Sequence, residues 1–179
     1  MPSNLRKTIT SQLKESSRVI AATLKLGPEL ERAARQFVAA YRRGNKILTF
    51  GNGGSACDAQ NFADELVGRF ERNRPPLPAI SLTVNSSDLT SIANDFGYEE
   101  VFARQLEAHA KPGDIAVAIS TSGNSPNVLK AVARAQKLGL ATIGLSGQSG
   151  GKLKALADIC LCVPSKTVAR IQEAHITII

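Results

Sequence analysis

The chain has no tryptophan, and only two tyrosines and six phenylalanines among 179 residues. Single-stranded nucleic acids bind by stacking on such rings, so that class of partner has little to work with. Three cysteines, Cys57, Cys160 and Cys162, are an odd number with no C-x-x-C pair. Neither a disulfide framework nor a zinc ribbon is indicated, and Cys160 and Cys162, two apart in a strand-like run, read as ordinary buried thiols. No apolar run approaches the roughly 18 residues of a membrane span, and MPSNLRKTITSQLKESS at the start lacks the apolar stretch of a secretory signal. The expectation is a cytoplasmic protein without membrane or nucleic-acid partners.

Charge of one sign is in modest excess, a net +7. The basic residues are spread out, with local groups at Arg42, Arg43 and Lys46 and at Arg69, Arg72 and Arg74. This reads as a solvated basic surface, and it suits steering of a phosphorylated small substrate. No repeat, low-complexity tract or interdomain linker appears, so residues 1–179 read as a single domain.

What is present is an alternation. Residues 4–24 carry Leu5, Ile9, Leu13, Ile20 and Leu24 at helical spacing, and a break at Gly27-Pro28 starts a second helix over 29–43. Residues 1–44 are thus a helical pair preceding a core over 45–179. Two helices before the first strand are more than a sheet needs for cover, and they suggest packing against another subunit. Strands are predicted over 46–50, 79–83, 114–119, 141–145 and 159–163. Helical runs lie between them over 56–70, 89–94 with 99–110, 126–138 and 152–157. The runs ILTF, IAVAI and TIGL are apolar throughout, as in parallel strands covered on both faces. The fold class is therefore α/β: a three-layer sandwich around a five-stranded parallel sheet, Rossmann-like, with added N-terminal helices.

Ligands of such folds collect at the carboxyl ends of the strands. Here those exits read GNGGS, NSSDLTSIAND, STSGNS and SGQSGG. A nucleotide-triphosphate loop needs a Lys after its glycines, and GNGGSACDA has none. A dinucleotide fingerprint needs an acid closing the second strand; AISLTVNSS offers none. No nucleotide cofactor is expected. A phosphate monoester fits better, because Ser120 to Ser125 present four hydroxyls directly before the helix starting at Pro126, where free amides and partial positive charge favour an anion. Ser55 repeats this arrangement at the head of the helix after the first strand. The alternative for Ser55 and Ser125 is plain N-capping.

STSGNSPNVLKA resembles the phosphosugar-binding signature of the sugar isomerase (SIS) domain family. With GNGGSACDAQNFADELVGRF, SIANDFGYEEVFARQ and ARIQEAH, nearly the whole chain is similar to the phosphoheptose isomerase branch of that family. The resemblance implies interconversion of sedoheptulose 7-phosphate and D-glycero-D-manno-heptose 7-phosphate through an enediol(ate), for bacterial heptose and lipopolysaccharide synthesis. It implies Glu65 as catalytic base. Substrate contacts carry over to Asn52, Gly53, Gly54, Ser55, Asn94, Asp95, Ser120, Thr121, Ser122, Ser125 and Gln172, beside Glu65. It further implies a homo-oligomer, typically a tetramer, with active sites at subunit boundaries. Helical pitch separates Ser55 from Glu65 by about 15 Å, comparable to an extended seven-carbon sugar phosphate. Read without the family, Glu65 is a surface residue forming an i,i+4 pair with Arg69.

Two positions depart from the family pattern. Zinc-bearing members have His where this chain has Asn61, which weakens a metal site otherwise held by Glu65 and Gln172. The family's catalytic His lies five residues beyond the position of His175 and would directly follow Ile179. The last helix therefore reads as incomplete, and this form is expected to bind substrate with little turnover. His175 itself reads as structural and His109 as a surface or capping residue. Other functions left open are a non-catalytic SIS tetramer that binds the replication initiator protein, and an SIS isomerase for another sugar phosphate.

Overall fold

The computed structural model describes residues 4–179. The two helical stretches before the core become α1 (Leu5–Ala22) and α2 (Gly27–Arg42), joined by one 3-10 turn over Thr23–Leu26. Asn4 caps α1 by accepting a hydrogen bond from the amide of Lys7. The core then alternates: β1 (Ile47–Gly51), α3 (Gly54–Val67), β2 (Ala79–Ser81), α4 (Ser86–Phe96), a 3-10 turn at Tyr98–Glu100, α5 (Val101–His109) and β3 (Ile115–Ile119). It continues with α6 (Pro126–Lys137), β4 (Ala141–Ser146), α7 (Gly151–Leu156), β5 (Ile159–Cys162) and α8 (Val168–Ile178).

The five strands form one wholly parallel sheet in the order β2-β1-β3-β4-β5. This agrees with the expected sandwich, and the apolar runs explain it. β1, β3 and β4 lie in the middle and are covered on both faces. One face packs Leu48 and Phe50 with Phe102, Leu106, Val128 and Val132; the small Ala116 and Ala118 leave room there for the Phe50 and Phe102 rings, 5.4 Å apart. The other face packs Ile47, Val117, Ile119 and Ile143 against Ala33, Ala40 and Ala59 of α2 and α3.

Several boundaries differ from expectation. α3 starts two residues earlier than predicted, because Gly53 with φ of 57° serves as its N-cap. It ends at Val67, where Gly68 and Phe70, the latter at φ 47°, turn the chain away. α4 begins at Ser86, because the Asn85 side chain accepts from the amides of Ser87 and Asp88. Cys160 and Cys162 share a face as expected but are half-buried, with their sulfurs 3.7 Å apart. Burial pushes the Cys160 thiol up to about 12.

Two polar clusters tie the layers together. At the base of the sheet Asp114, almost fully buried, accepts from the amides of Lys46 and Lys111, the Asn45 side chain and the Lys46 ammonium at 2.5 Å. At the outer face the buried guanidinium of Arg170 on α8 donates to the main-chain and side-chain oxygens of Gln12 on α1, and pairs with Glu173 and more distantly with Glu15. Burial alone would raise the Asp114 carboxyl, but the donors of Lys46, Lys111 and Asn45 together hold it below the ordinary carboxylate value. Its stabilisation is therefore present above the unfolded value near pH 4 and is lost as pH falls through the folded one. Asp114→Ala should cost about 3 kcal/mol in urea unfolding at pH 7, since it strands buried donors and an ammonium, with the deficit shrinking below about pH 4.

Candidate functional site

In a sheet of this order the strand sequence reverses between β1 and β3, and a crevice opens at their carboxyl ends. Gly51 pairs with Ile119 in register, so GNGGS and STSGNS leave the sheet side by side. Reciprocal amide bonds join the two loops. Asn52 Nδ2 donates to Asn127 Oδ1 at 2.9 Å, and Asn127 Nδ2 donates back to Asn52 Oδ1 at 2.8 Å. Tyr98 Oη also donates to Asn52 Oδ1, at 3.2 Å, which brings the segment after α4 to the same point. Sequence reasoning missed Asn127 and Tyr98. The signal for Asn127 was its place just after the hydroxyl run, one residue into α6.

The hydroxyls are not spent on capping. Ser125 is the N-cap residue of α6, yet its side chain makes no cap hydrogen bond. Its Oγ lies 3.0 Å from Ser120 Oγ instead. Ser55 is the second residue of α3 and is buried, with Gly53 as the cap. The start of α7, by contrast, is already occupied. The amide of Leu153 donates to Gly123 O, and that of Lys152 to Asn124 Oδ1. This contact depends on glycine: a Cβ on Gly123, whose φ is 65°, would lie 2.0 Å from Gly150 O. The Thr121–Asn124 turn is thereby clamped against the loop after β4.

Glu65 stands in the last turn of α3, half-buried. It lines a cavity of about 390 Å³ with Asn61, Leu66, Arg69, Arg74 and Ile176. None of the residues from Ser120 to Ser125 lines that cavity. Asn94 and Asp95 are exposed near the end of α4, with Asn94 Nδ2 donating to Asp95 Oδ1 at 2.8 Å. Gln172 crosses from α8 onto the head of α3, where a Cβ on Gly54 would meet its Nε2 at 2.0 Å. A single chain thus gathers Asn52, Gly53, Gly54, Ser55 and Gln172 beside the hydroxyl loop, and holds Glu65 eleven residues further along α3, about 16 Å by helical rise.

That separation bears on the metal. Zinc ligands must converge within bond lengths near 2 Å, and Gln172 and Glu65 of one chain lie at opposite ends of α3. With Asn61 in place of an imidazole, the donors near Glu65 are one carboxylate and an amide. Among the described residues no group of three or more His, Cys, Asp or Glu side chains could hold a metal ion. The donors of a single chain do not fit zinc, and no chemical step is assigned to it.

Two buried titratable groups flank the site. His175 on α8 is fully buried, and its Nε2 faces the carbonyl of Ser146 at the β4 exit, 3.3 Å away. Burial lowers its pKa to about 4, only partly offset by that carbonyl, so it is neutral and structural at pH 7. Asp58 lies one turn after Gly54 on α3 and is 7% exposed, and its Oδ2 has no partner among the described residues. Burial raises it to about 6. His109 is exposed in the last turn of α5.

The SIS-domain profile matches residues 10–147. The chain is 52% identical to a phosphoheptose isomerase of Citrifermentans bemidjiense over 172 residues, 96% of this chain and 90% of that protein. The chain belongs to the SIS-domain family, among its phosphoheptose isomerases. A second such relative, from Thiobacillus denitrificans, is 53% identical over 84% of this chain and 78% of its own length. The SIS fold seen here superposes on the phosphoheptose isomerase of Neisseria gonorrhoeae with a TM-score of 0.92 and 40% identity, covering 97% of this chain and 94% of that one. A structural neighbour at 18% identity, the Vibrio vulnificus NanR protein complexed with ManNAc-6P, has a TM-score of 0.71 and shares the fold alone.

The two buried groups give opposite pH signatures. Asp58 is raised when folded, so its contribution to stability falls as pH rises from about 4 to about 6. His175 is lowered when folded, so its contribution grows as pH rises from about 4 to about 6.5. Asp58→Asn should gain about 1–2 kcal/mol at pH 8 and unmask a rise in stability between pH 4 and 6.5 that the wild type largely conceals; urea melts across that range measure both.

Proposed function

We propose that the protein is an aldose–ketose isomerase that converts sedoheptulose 7-phosphate to D-glycero-D-manno-heptose 7-phosphate. The observation that carries this is the pair of hydroxyls, Ser120 and Ser125, that bond each other at the head of α6 rather than cap it. A phosphate monoester there would accept from both, from Thr121 and Ser122, and from main-chain amides at the helix start. The phosphate anchors and does not react. Asn52, Gly53, Gly54, Ser55, Asn94, Asp95 and Gln172 then serve the sugar hydroxyls.

At the other end of the substrate Glu65 takes the proton from C1, and the electrons move into a C1–C2 double bond as the C2 carbonyl becomes an enolate oxygen. Returning the proton to C2, while the O1 proton passes to the C2 oxygen, leaves an aldehyde at C1 and a hydroxyl at C2. Hydrogen-bond donors around the enediolate lower the barrier. The product would feed bacterial heptose synthesis, for lipopolysaccharide core or a related glycan, in the cytoplasm where sugar phosphates are made.

The same reading includes a homotetramer with sites completed at subunit boundaries. Glu65 opens into a cavity that the Ser120–Ser125 loop does not line, so a neighbouring copy is a natural source of one of the two. The outer face of α1 leaves Leu5 63% and Leu13 67% exposed, and Leu24 in the turn after it is 83% exposed, an apolar surface suited to burial against that copy. The replication-initiator scaffold and an isomerase for another sugar phosphate are less favoured, since the matched relatives are named phosphoheptose isomerases.

Given sedoheptulose 7-phosphate, full-length protein that includes the position after Ile179 should form an aldose 7-phosphate, followed by coupled assay or proton exchange at C1. Glu65→Gln should lower kcat by about 10²–10⁴-fold and leave phosphate-ester binding intact, whereas Ser125→Ala should chiefly raise KM. Full-length wild-type protein that binds the ester but exchanges no C1 proton would refute the assignment.

A further inference from the structure

The turn of α3 that carries Glu65 is the least secure of its helix. The last four carbonyls of an α-helix have no partner within it, and its C-terminal end bears partial negative charge. Here Asp64 and Glu65 add two acids at that end, with no basic residue in the last turn. Gly68 follows with φ of −71° and ψ of −133°, so the usual left-handed closure is absent, and its amide reaches only Asp64 O, at 2.7 Å. The carbonyls of Glu65 and Leu66 are left to be satisfied from elsewhere.

They are satisfied by one side chain from the loop that follows. Arg74 Nη2 donates to Glu65 O at 2.8 Å, and Arg74 Nη1 donates to Leu66 O at 2.8 Å and to Pro75 O at 3.1 Å. The loop closes further through the amide of Leu77, which donates to Leu66 O at 3.0 Å. Arg69 and Arg72, on the same loop region, are exposed, while Arg74 is half-buried and its fork is spent on main chain. A planar fork holds two nitrogens in fixed geometry against two successive carbonyls, where an ammonium offers one. Its charge also offsets the two acids and the helix end.

We infer that Arg74 is a positioning residue for Glu65: it closes the last turn of α3 and so fixes where the carboxylate sits in its cavity. This rests on the reading of Glu65 as the base, and Arg74 itself need touch no substrate. Loosening the turn leaves the phosphate anchor at the far end of α3 untouched but misplaces the base, and an error of about 1 Å at a reacting group costs up to about 100-fold in rate.

The experiment compares Arg74→Met and Arg74→Lys with wild type, each in the full-length protein. Arg74→Met should lose about tenfold or more in kcat with KM for sedoheptulose 7-phosphate within about twofold, and Arg74→Lys should fall between. Amide hydrogen exchange at Gly68 should quicken in the same order, while amides in the first turns of α3 stay protected. A folded Arg74→Met with kcat within about threefold of wild type overturns the inference, as does unchanged exchange at Gly68. A raised KM at constant kcat also overturns it, making Arg74 a binding residue. Should Arg74→Met fail to fold, Arg74→Lys carries the same readings. Wild type that isomerises no heptulose phosphate defeats the functional assignment instead, and exchange at Gly68 then decides whether Arg74 holds the turn.

Discussion

Asn52 and Asn127 close their amides on each other where β1 and β3 part, and the geometry of the crevice follows from that pair. Each side chain satisfies a donor and an acceptor of the other, so polar atoms are withdrawn from water without being left unpaired. The bond sets the head of α6 beside the head of α3, and so sets the hydroxyls of Ser125 and Ser120 against the glycine turn. Tyr98, on the same Asn52 oxygen, adds the end of α4 to the arrangement. Removing the Asn52 amide would leave the buried Asn127 side-chain donor without its acceptor, a larger penalty than the loss of one bond.

Around this pair the protein keeps groups that are costly to fold. Asp58 has a buried oxygen with no partner, and His175 must stay neutral inside the α8 packing. Such residues gather where a chain gives up stability to shape a site. The sheet beneath supplies the rigidity. Its central strands are covered on both sides, and Asp114 fastens the bases of β1 and β3 through four donors. Firm strands carry a strained rim, as loops on a rigid scaffold commonly do.

The sheet could be read from sequence because strands buried on both faces are apolar without interruption; IAVAI admits few other readings. Helix starts were harder. Gly53 and Asn85 initiate α3 and α4 earlier than their apolar spacing suggests, since capping depends on backbone angles and single side-chain bonds. The hydroxyl-rich exits pointed to the crevice by composition alone. Asn127, Tyr98 and Arg74 did not, because the partner that gives each its meaning lies elsewhere: Asn127 finds Asn52 across 75 positions of chain, and Arg74 bonds to carbonyls every residue possesses. The separation of Gln172 from Glu65 along α3 was equally hidden, since matching positions to a motif says nothing of which copies of the chain meet.

Arg170 carries a consequence for how the molecule can be shortened. Its guanidinium lies almost wholly inside the protein, and oxygens of α1 on Gln12, with Glu15 beyond, are part of what neutralises it. A protease nick that released the first helix would abandon a cation in the interior next to Gln172 of the same helix. The opening and closing helices are therefore one cooperative unit, and the amino-terminal segment is no detachable appendage: trimming it would be felt at the crevice on the far side of α8.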